Sequence, residues 1–216
     1  PTTDAAINES RLRLQKSLLA SLIMSAGVPM ILMGDEVGRS QAGSNNAYSL
    51  PLNESGNSLT GLDSFNGGWA LNWNLNERER DLLETTKTLI SLRKEYLAPV
   101  ARTFFTGELD LNTSRKDLAW FTPLGKEMAG EDWNKIEAKN LSMYVEASEN
   151  QGLLMLFNGE ANDMEFTLPE AKWGSGYRTV FDSAKSVINY EPRLALPSGK
   201  VTLAAHSLQI WFVNRD

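Results

Sequence analysis

The residues best placed to do chemistry are two adjacent carboxylates, Asp35 and Glu36, at the end of a short apolar run. The run, Gly27–Met33, is apolar throughout, which is typical of a strand buried on both faces. Charge at the C-terminal end of such a strand lies where α/β barrels build their active sites. Paired carboxylates suit acid–base chemistry, so the segment indicates an enzyme. A structural role, in which the carboxylates hold the loop or an arginine such as Arg39, is favoured over direct contact with a substrate.

Other kinds of site are excluded or disfavoured by the residue types present. The sequence has no cysteine, which excludes disulfides, thiol nucleophiles and thiolate metal sites. Its single histidine, His206, cannot form a His-rich metal site, and no stretch resembles a calcium loop, so no metal and no cofactor is expected. Because His206 directly precedes the apolar stretch Leu208–Val213, a turn or strand-edge role is favoured over membership of a Ser-His-Asp triad.

The amino-acid composition and net charge narrow the kinds of molecule that the chain is expected to bind. The 216 residues are 42% hydrophobic and 22% charged, as in an ordinary globular protein, and the net charge is −6. An acidic balance disfavours nucleic acid as the main partner, since phosphate binding needs clustered Lys and Arg. No apolar run is long enough to span a bilayer and no signal-peptide pattern is present, so no membrane partner and a cytoplasmic location are expected.

The first hundred residues predict two helices around one strand. Leucines at i, i+4 spacing predict a helix over Asn8–Ala26, and Asn76 with Glu79 forms a capping-box pattern before a second helix, Glu77–Leu97. Between them lie the apolar strand and a polar stretch, Val37–Asn74, whose length is typical of functional loops. A lone strand has no neighbours for its backbone groups, so its partners are expected upstream or in another chain.

Beyond Pro99 the pattern changes to short strands separated by turn residues, which indicates an antiparallel β-sandwich. The domain boundary is placed within Ala101–Gly107, giving domains 1–102 and 103–216. Four tryptophans are expected in the sandwich core: Trp120, Trp133, Trp173 and Trp211. The predicted strands are Leu118–Thr122, Leu141–Glu146, Leu153–Phe157, Glu165–Leu168, Tyr177–Asp182 and Leu208–Val213.

Several stretches together resemble the C-terminal portion of bacterial glycogen debranching enzymes of the isoamylase type, in the α-amylase superfamily. The segment Leu18–Glu36, LLASLIMSAGVPMILMGDE, is only moderately specific to the debranching group, because many α-amylase relatives carry a similar segment. The combination with SNNAY and with GKEM followed by EDW is much more specific to the debranching group. The matching stretches are Leu18–Glu36, Val37–Tyr48, Asp117–Met128, Glu131–Trp133 and Leu153–Pro169.

The resemblance implies an α/β plus all-β fold: the end of a (β/α)₈ TIM barrel followed by the sandwich. Val28–Met33 becomes the eighth barrel strand, and the two helices become the seventh and eighth barrel helices. Family members cleave α-1,6 branch linkages in glycogen or limit dextrin with retention, which uses a carboxylate nucleophile and a carboxylic acid/base. Those groups, and a third carboxylate that positions the sugar, follow the fourth, fifth and seventh strands, all before Pro1. This chain is therefore expected to hold no catalytic residue and to be an inactive fragment.

The loop after the carboxylates departs from the family pattern. After Ala47-Tyr48 the family runs into Cys-Gln-Asp-Asn, whereas here Ser49–Trp73 is longer and lacks the cysteine, which puts typical substrate preference in doubt. Amide and aromatic side chains suit neutral sugars, although turn formation and packing explain the same residues. Trp69 and Trp73 are favoured as loop anchors over a sugar platform. The candidate substrate-binding residues are Asp35, Glu36, Arg39, Asn45, Asn46 and Tyr48.

The sequence thus predicts part of a glycogen debranching hydrolase. Its expected partners are an α-glucan, bound through the parent enzyme, and the missing N-terminal part of the barrel. Self-association of the fragment is also expected, because an unpaired strand leaves an apolar patch. The alternative is a carbohydrate-binding or purely structural sandwich module of another α-amylase superfamily enzyme.

Overall fold

The fold is that of a computed structural model, which describes residues 2–39, 73–111, 114–148 and 151–215. Helix α1 spans Ala5–Ile23 and begins at Asp4, whose carboxylate accepts a hydrogen bond from the Ile7 amide at 3.0 Å. Helix α2 spans Glu77–Leu92 and continues as a π-helical turn, Arg93–Leu97. Both predicted helices are confirmed, and the capping box is present: the Asn76 side chain accepts from the Glu79 amide, while Glu79 accepts from the Asn76 amide.

The remainder is antiparallel sheet, as predicted. Six strands form one sheet in the order β3-β4-β5-β10-β7-β8, while β6 pairs with β9 and β1 pairs with β2. All six predicted strands are present, and the unpredicted ones have two to four residues. The strands are β1 Leu109–Asp110, β2 Arg115–Lys116, β3 Leu118–Phe121, β4 Asn140–Ser148, β5 Gln151–Asn158, β6 Met164–Thr167, β7 Gly176–Asp182, β8 Leu194–Ala195, β9 Lys200–Leu203 and β10 Ser207–Asn214.

The six-stranded sheet is buried on both faces. Alternate residues of central strand β10 enter different cores: Ile210 and Phe212 pack with the helices, whereas Trp211 and Val213 pack with the β6–β9 pair. Successive strand residues point to opposite faces, so a strand covered on both sides must be apolar at nearly every position. Because both of its faces are covered, β10 does not show the regular alternation of apolar and polar residues that is typical of a strand with one face in solvent.

A buried ion pair ties both helices to the sheet. Lys16 of α1 pairs with Asp81 of α2, and both side chains are largely buried. The Lys16 Nζ also donates to the Lys185 carbonyl at 2.9 Å, and the Ser186 hydroxyl donates to Asp81 Oδ1 at 2.6 Å. Since residues 185 and 186 lie between β7 and β8, this helix–sheet clamp joins three segments that are far apart in sequence.

The two helices run parallel. At one end Arg78 Nη2 of α2 donates to the Asn8 carbonyl of α1 at 2.8 Å. At the other end Arg93 donates to the Ile23 carbonyl at 2.7 Å and to the Gly27 carbonyl at 2.6 Å, and it also bonds the Ser25 carbonyl. Arg93 therefore satisfies carbonyls left free at the C-terminus of α1. Between the helices, the chain must travel back along the length of α1.

The predicted buried strand Val28–Met33 is wrong as a description of this structure. It pairs with no described strand, and Val28 is 95% and Met30 87% exposed. Exposure nevertheless alternates along the segment, because Pro29 and Ile31 are half-buried whereas Val28, Met30 and Leu32 are exposed. An isolated extended segment has no neighbours to cover its outer face or its backbone groups. Among the described residues before Leu109 there is consequently no paired strand, and the barrel fragment is not confirmed.

The core prediction for the tryptophans is right for Trp173 and Trp211, which are buried. It is wrong for Trp133, which is 53% exposed, because a one-turn helix α3, Gly130–Trp133, carries it beyond the end of β3. Trp120 is half-buried. His206 lies in the turn before β10 with φ 50°, which confirms the turn role.

The helix–sheet clamp predicts a large loss of stability when Lys16 is replaced. Lys16→Met leaves the Asp81 carboxylate buried without its cation, so we expect the free energy of unfolding to fall by about 3 kcal/mol. The matched control is Lys87→Met, which breaks the exposed Lys87–Glu84 pair at 2.7 Å and is expected to cost no more than about 0.5 kcal/mol. Urea unfolding measures the free energy of unfolding of both variants. Equal losses would show that the buried Lys16–Asp81 pair contributes no more stability than an exposed pair.

The exposed segment 28–33 predicts self-association of the 216-residue chain. Light scattering should give a mean mass that rises with concentration above that of the monomer, because the segment offers apolar side chains and a free strand edge. Met30→Lys should lower this association. Phe104→Lys, at another fully exposed position, is the control and should leave it unchanged. A strictly monomeric wild type, or equal effects of both substitutions, would contradict the prediction.

Candidate functional site

The candidate carboxylates lie in a tight turn between two left-handed glycines. Gly34 has φ 100° and Gly38 has φ 67°, and a single 3₁₀ turn, Asp35–Val37, lies between them. L-residues with a side chain rarely adopt these φ values, which explains glycine at both ends. Glu36 Oε2 accepts a hydrogen bond from the Gly34 amide at 2.7 Å. Glu36 therefore holds the turn in which it sits.

The turn is seated in the notch between the two helices. Val37 is buried, and a Cβ added to Gly38 would lie only 3.1 Å from Leu82 Cδ2 of α2 and 3.5 Å from Gln15 Nε2 of α1. A cavity of about 160 Å³ adjoins this contact, and its walls include Asn76 and Arg78 at the start of α2. The helix pair thus fixes where the carboxylates lie.

Asp35 and Arg39 form a loose ion pair on the outer side of the turn. Arg39 Nε lies 3.7 Å from Asp35 Oδ1, and the Asp35 side chain is 49% exposed. Exposed carboxylate oxygens and a guanidinium can hydrogen-bond hydroxyl groups of a ligand. The structure therefore places three of the six predicted site residues together. Asn45, Asn46 and Tyr48, and also Trp69, lie outside the described residues.

The described residues offer no alternative centre for metal chemistry or membrane insertion. Within residues 2–39, 73–111, 114–148 and 151–215, no group of three or more His, Cys, Asp and Glu side chains can hold a metal ion. In the same ranges, no helix is long and apolar enough to cross a membrane.

The most perturbed cation is structural. Arg215 is buried at the end of β10, where it pairs with Glu146 and its guanidinium lies 5.3 Å from the Tyr144 ring centroid. Burial lowers the pKa of Arg215 to about 10, and the nearby charge of Arg115 acts in the same direction. An arginine with that pKa is still charged at neutral pH, so it holds the C-terminal strand and does no acid–base chemistry.

An apolar groove of about 530 Å³ is a second concave feature, and sequence reasoning missed it. It lies between the end of α1 and strands β3, β4 and β5, with Phe105, Trp120 and Phe157 among its walls and Lys139 at its polar part. Behind the groove wall, Trp120 contacts the exposed Trp133. The groove depends on residues far apart in sequence, so no local pattern indicates it.

Comparisons with known proteins find one family model and several curated relatives. Residues 117–204 match the family model of the isoamylase C-terminal domain. The chain is 31% identical over 196 residues to the "Glycogen operon protein GlgX homolog" of Mycobacterium bovis, covering 85% of this chain and 25% of that protein. It is 31% identical over 170 residues to the "Glycogen debranching enzyme" of Yersinia pestis, covering 79% and 22%. The chain thus spans about a quarter of these relatives.

Solved structures show the same fold. The product complex of the multi-modular glycogen-degrading pneumococcal virulence factor SpuA matches with a TM-score of 0.62 and 17% identity, covering 98% of this chain and 24% of that one. The pullulanase from Bacillus acidopullulyticus matches with a TM-score of 0.59 and 17% identity, covering 97% and 21%. At these identities the likeness concerns the fold alone.

The Glu36 hydrogen bond predicts that the turn loosens when its acceptor is removed. Glu36→Ala should accelerate amide exchange at Gly34 about tenfold to a hundredfold, because a hydrogen bond to a charged group contributes about 1.5–3 kcal/mol. Glu36→Gln keeps an acceptor at the same position and should change exchange much less. Exchange at Gly34 that is unaffected by Glu36→Ala would show that the carboxylate does not hold the turn.

Proposed function

We propose that this chain, whose residues 117–204 form an isoamylase C-terminal domain, is part of a glycogen debranching hydrolase that cleaves α-1,6 branch linkages with retention. The observation that carries the proposal is the similarity to glycogen debranching enzymes over about four fifths of the chain. The nucleophile and the acid/base are proposed to lie in the parent enzyme, upstream of Pro1. The chain alone is then inactive.

The parallel helices support the proposal that residues 1–102 end a (β/α)₈ barrel and residues 103–216 form the sandwich domain. In such a barrel, each strand returns the chain between two neighbouring parallel helices. Here the extended segment 28–33 makes that return, with Pro29 and Ile31 half-buried on the side of the helices and Val28, Met30 and Leu32 exposed on the other side. Barrel strands on either side would pair the backbone, and side chains of other strands inside the barrel would cover the exposed side chains.

The turn after this segment is proposed to contact sugar. Barrel active sites are built at the C-terminal ends of the strands, which is where Asp35, Glu36 and Arg39 would stand. Glu36 already holds the Gly34 amide, so we assign it to shaping the cleft and assign Asp35 and Arg39 to glucose hydroxyls. Asn45, Asn46 and Tyr48 are proposed to act in the same contact. The two carboxylates are not proposed as the catalytic pair.

The chemistry and composition suggest the remaining properties of the parent enzyme. Carboxylate glycosidases hydrolyse through protein side chains, so no cofactor is proposed. The substrate is an α-glucan such as glycogen or limit dextrin, and a cytoplasmic location fits that substrate.

The test compares the 216-residue chain with a longer polypeptide that includes its upstream coding sequence. Release of reducing ends from glycogen limit dextrin is expected for the longer polypeptide only, because the proposal places the catalytic carboxylates upstream of the chain. Hydrolysis by the 216-residue chain would contradict the proposal, as would a longer polypeptide that leaves α-1,6 linkages intact.

A variant of the longer enzyme tests the cleft assignment within the same assay. Asp35→Asn removes the charge but keeps the size of the side chain, and we expect a raised KM with a largely preserved kcat, as for a residue that binds without reacting. A fall in kcat to background would instead place Asp35 in the catalytic machinery. Lys87→Met, on the exposed face of α2, is the control.

A further inference from the structure

The half-exposed indole of Trp133 is held in a fixed position on the sheet domain. Its ring centroid lies 5.7 Å from that of Trp120, with an angle of 77° between the planes. This edge-to-face contact is a favourable arrangement of two aromatic rings. Trp120 is itself fixed, because its carbonyl accepts a hydrogen bond from the Met128 amide at 2.8 Å and its side chain lines the apolar groove.

The short helix that carries Trp133 is also fixed. Asp132 Oδ2 accepts a hydrogen bond from the Ala129 amide at 3.0 Å, and Asp132 Oδ1 pairs with Lys135 Nζ at 2.6 Å. The side-chain amide of Asn134 donates to the Gly130 carbonyl at 3.0 Å. A rigid ring loses little conformational entropy when a ligand stacks on it.

The surroundings of the ring suit a sugar. Polar and charged residues flank Trp133 in sequence: Glu131, Asp132, Asn134 and Lys135. A pyranose presents an apolar CH face to an aromatic ring and hydroxyl groups to a polar rim. The α-linked glucan chain also bends from unit to unit, so it can stack on a single ring that projects from the surface.

We propose that Trp133, braced by Trp120, is a glucan-binding platform on the sheet domain that stacks a glucose unit of a branched α-glucan. The assignment of the ligand rests on the proposed function. The platform belongs to the loop after β3, whereas the Asp35 turn is seated on the helices. The Trp133 platform would bind the glucan polymer at a second position, in addition to the Asp35 turn. It would thereby raise the avidity for glycogen without acting on its linkages.

Affinity electrophoresis of the 216-residue chain in glycogen gels tests the platform. The wild type is expected to be retarded by glycogen and not by hydroxyethyl cellulose, whose β-linked chain is straight. Trp133→Ala should weaken the apparent affinity roughly tenfold, and Trp133→Phe should restore part of it. Far-ultraviolet circular dichroism and the urea unfolding midpoint check that the variants keep the fold.

Two matched variants test whether the loss of affinity is specific to Trp133. Ile136→Ser removes another exposed apolar side chain of the same loop and should leave retardation unchanged. Phe104→Ala removes a fully exposed aromatic ring before β1 and should also be neutral. The proposal is overturned if glycogen does not retard the wild type, if Trp133→Ala matches it, or if Ile136→Ser or Phe104→Ala loses as much affinity.

The longer enzyme distinguishes a failure of the platform from a failure of the proposed function. Trp133→Ala should raise the KM for glycogen while leaving kcat, and the KM for a short branched oligosaccharide, unchanged. Debranching activity with no change in any of these constants would overturn the platform and leave the proposed function standing. No debranching activity at all would refute the proposed function, while the gel experiment would still decide whether Trp133 binds glucan.

Discussion

The placement of the candidate site depends on the buried ion pair between Lys16 and Asp81. A buried charge is stable only if it is paired and hydrogen-bonded, and here the loop after β7 supplies the additional partners. This requirement fixes the distance between α1 and α2 and their position on the sheet. The notch between the helices then receives the turn of residues 34–38, in which Gly38 has a left-handed φ of 67° and a Cβ would come within 3.1 Å of Leu82. The position of Asp35 is therefore a consequence of a contact far from it in sequence.

The groove beside α1 and segment 28–33 both leave apolar surface uncovered, and they have different physical requirements. The groove beside α1 has side-chain walls and an intact sheet behind it, so covering it would gain burial energy only. Segment 28–33 in addition presents backbone amides with no backbone partner among the described residues. Its requirement is for another strand, since only a strand edge satisfies a row of backbone donors and acceptors together with alternating side chains.

Sequence reasoning succeeds where local pattern and tertiary environment agree. The capping box at Asn76 and Glu79 involves neighbours in sequence, and β10 is apolar because both faces are covered by the same chain. Val28–Met33 has the composition of a buried strand, but burial needs neighbours, and composition cannot show whether they are present. Tryptophan is usually well buried, which predicts a core position for Trp133, whereas a single helical turn places it at the surface. In the sequence, Lys16 is one of several polar residues on a face of the first helix. Only the packing of the two helices shows that it is buried and paired with Asp81.

The contrast between Trp133 and segment 28–33 bears on what each surface can bind. Water can hydrogen-bond the N–H of an exposed indole, so the ring has no buried polar group that needs a partner. It can therefore remain open and exchange a ligand reversibly. An open strand edge is prone to pair with whatever strand it meets, and proteins therefore protect such edges permanently. Reversible recognition of a soluble polymer suits the first surface, and permanent assembly with further strands suits the second. Trp133 and segment 28–33 therefore favour different roles, a binding platform at Trp133 and an internal boundary of a larger sheet at residues 28–33.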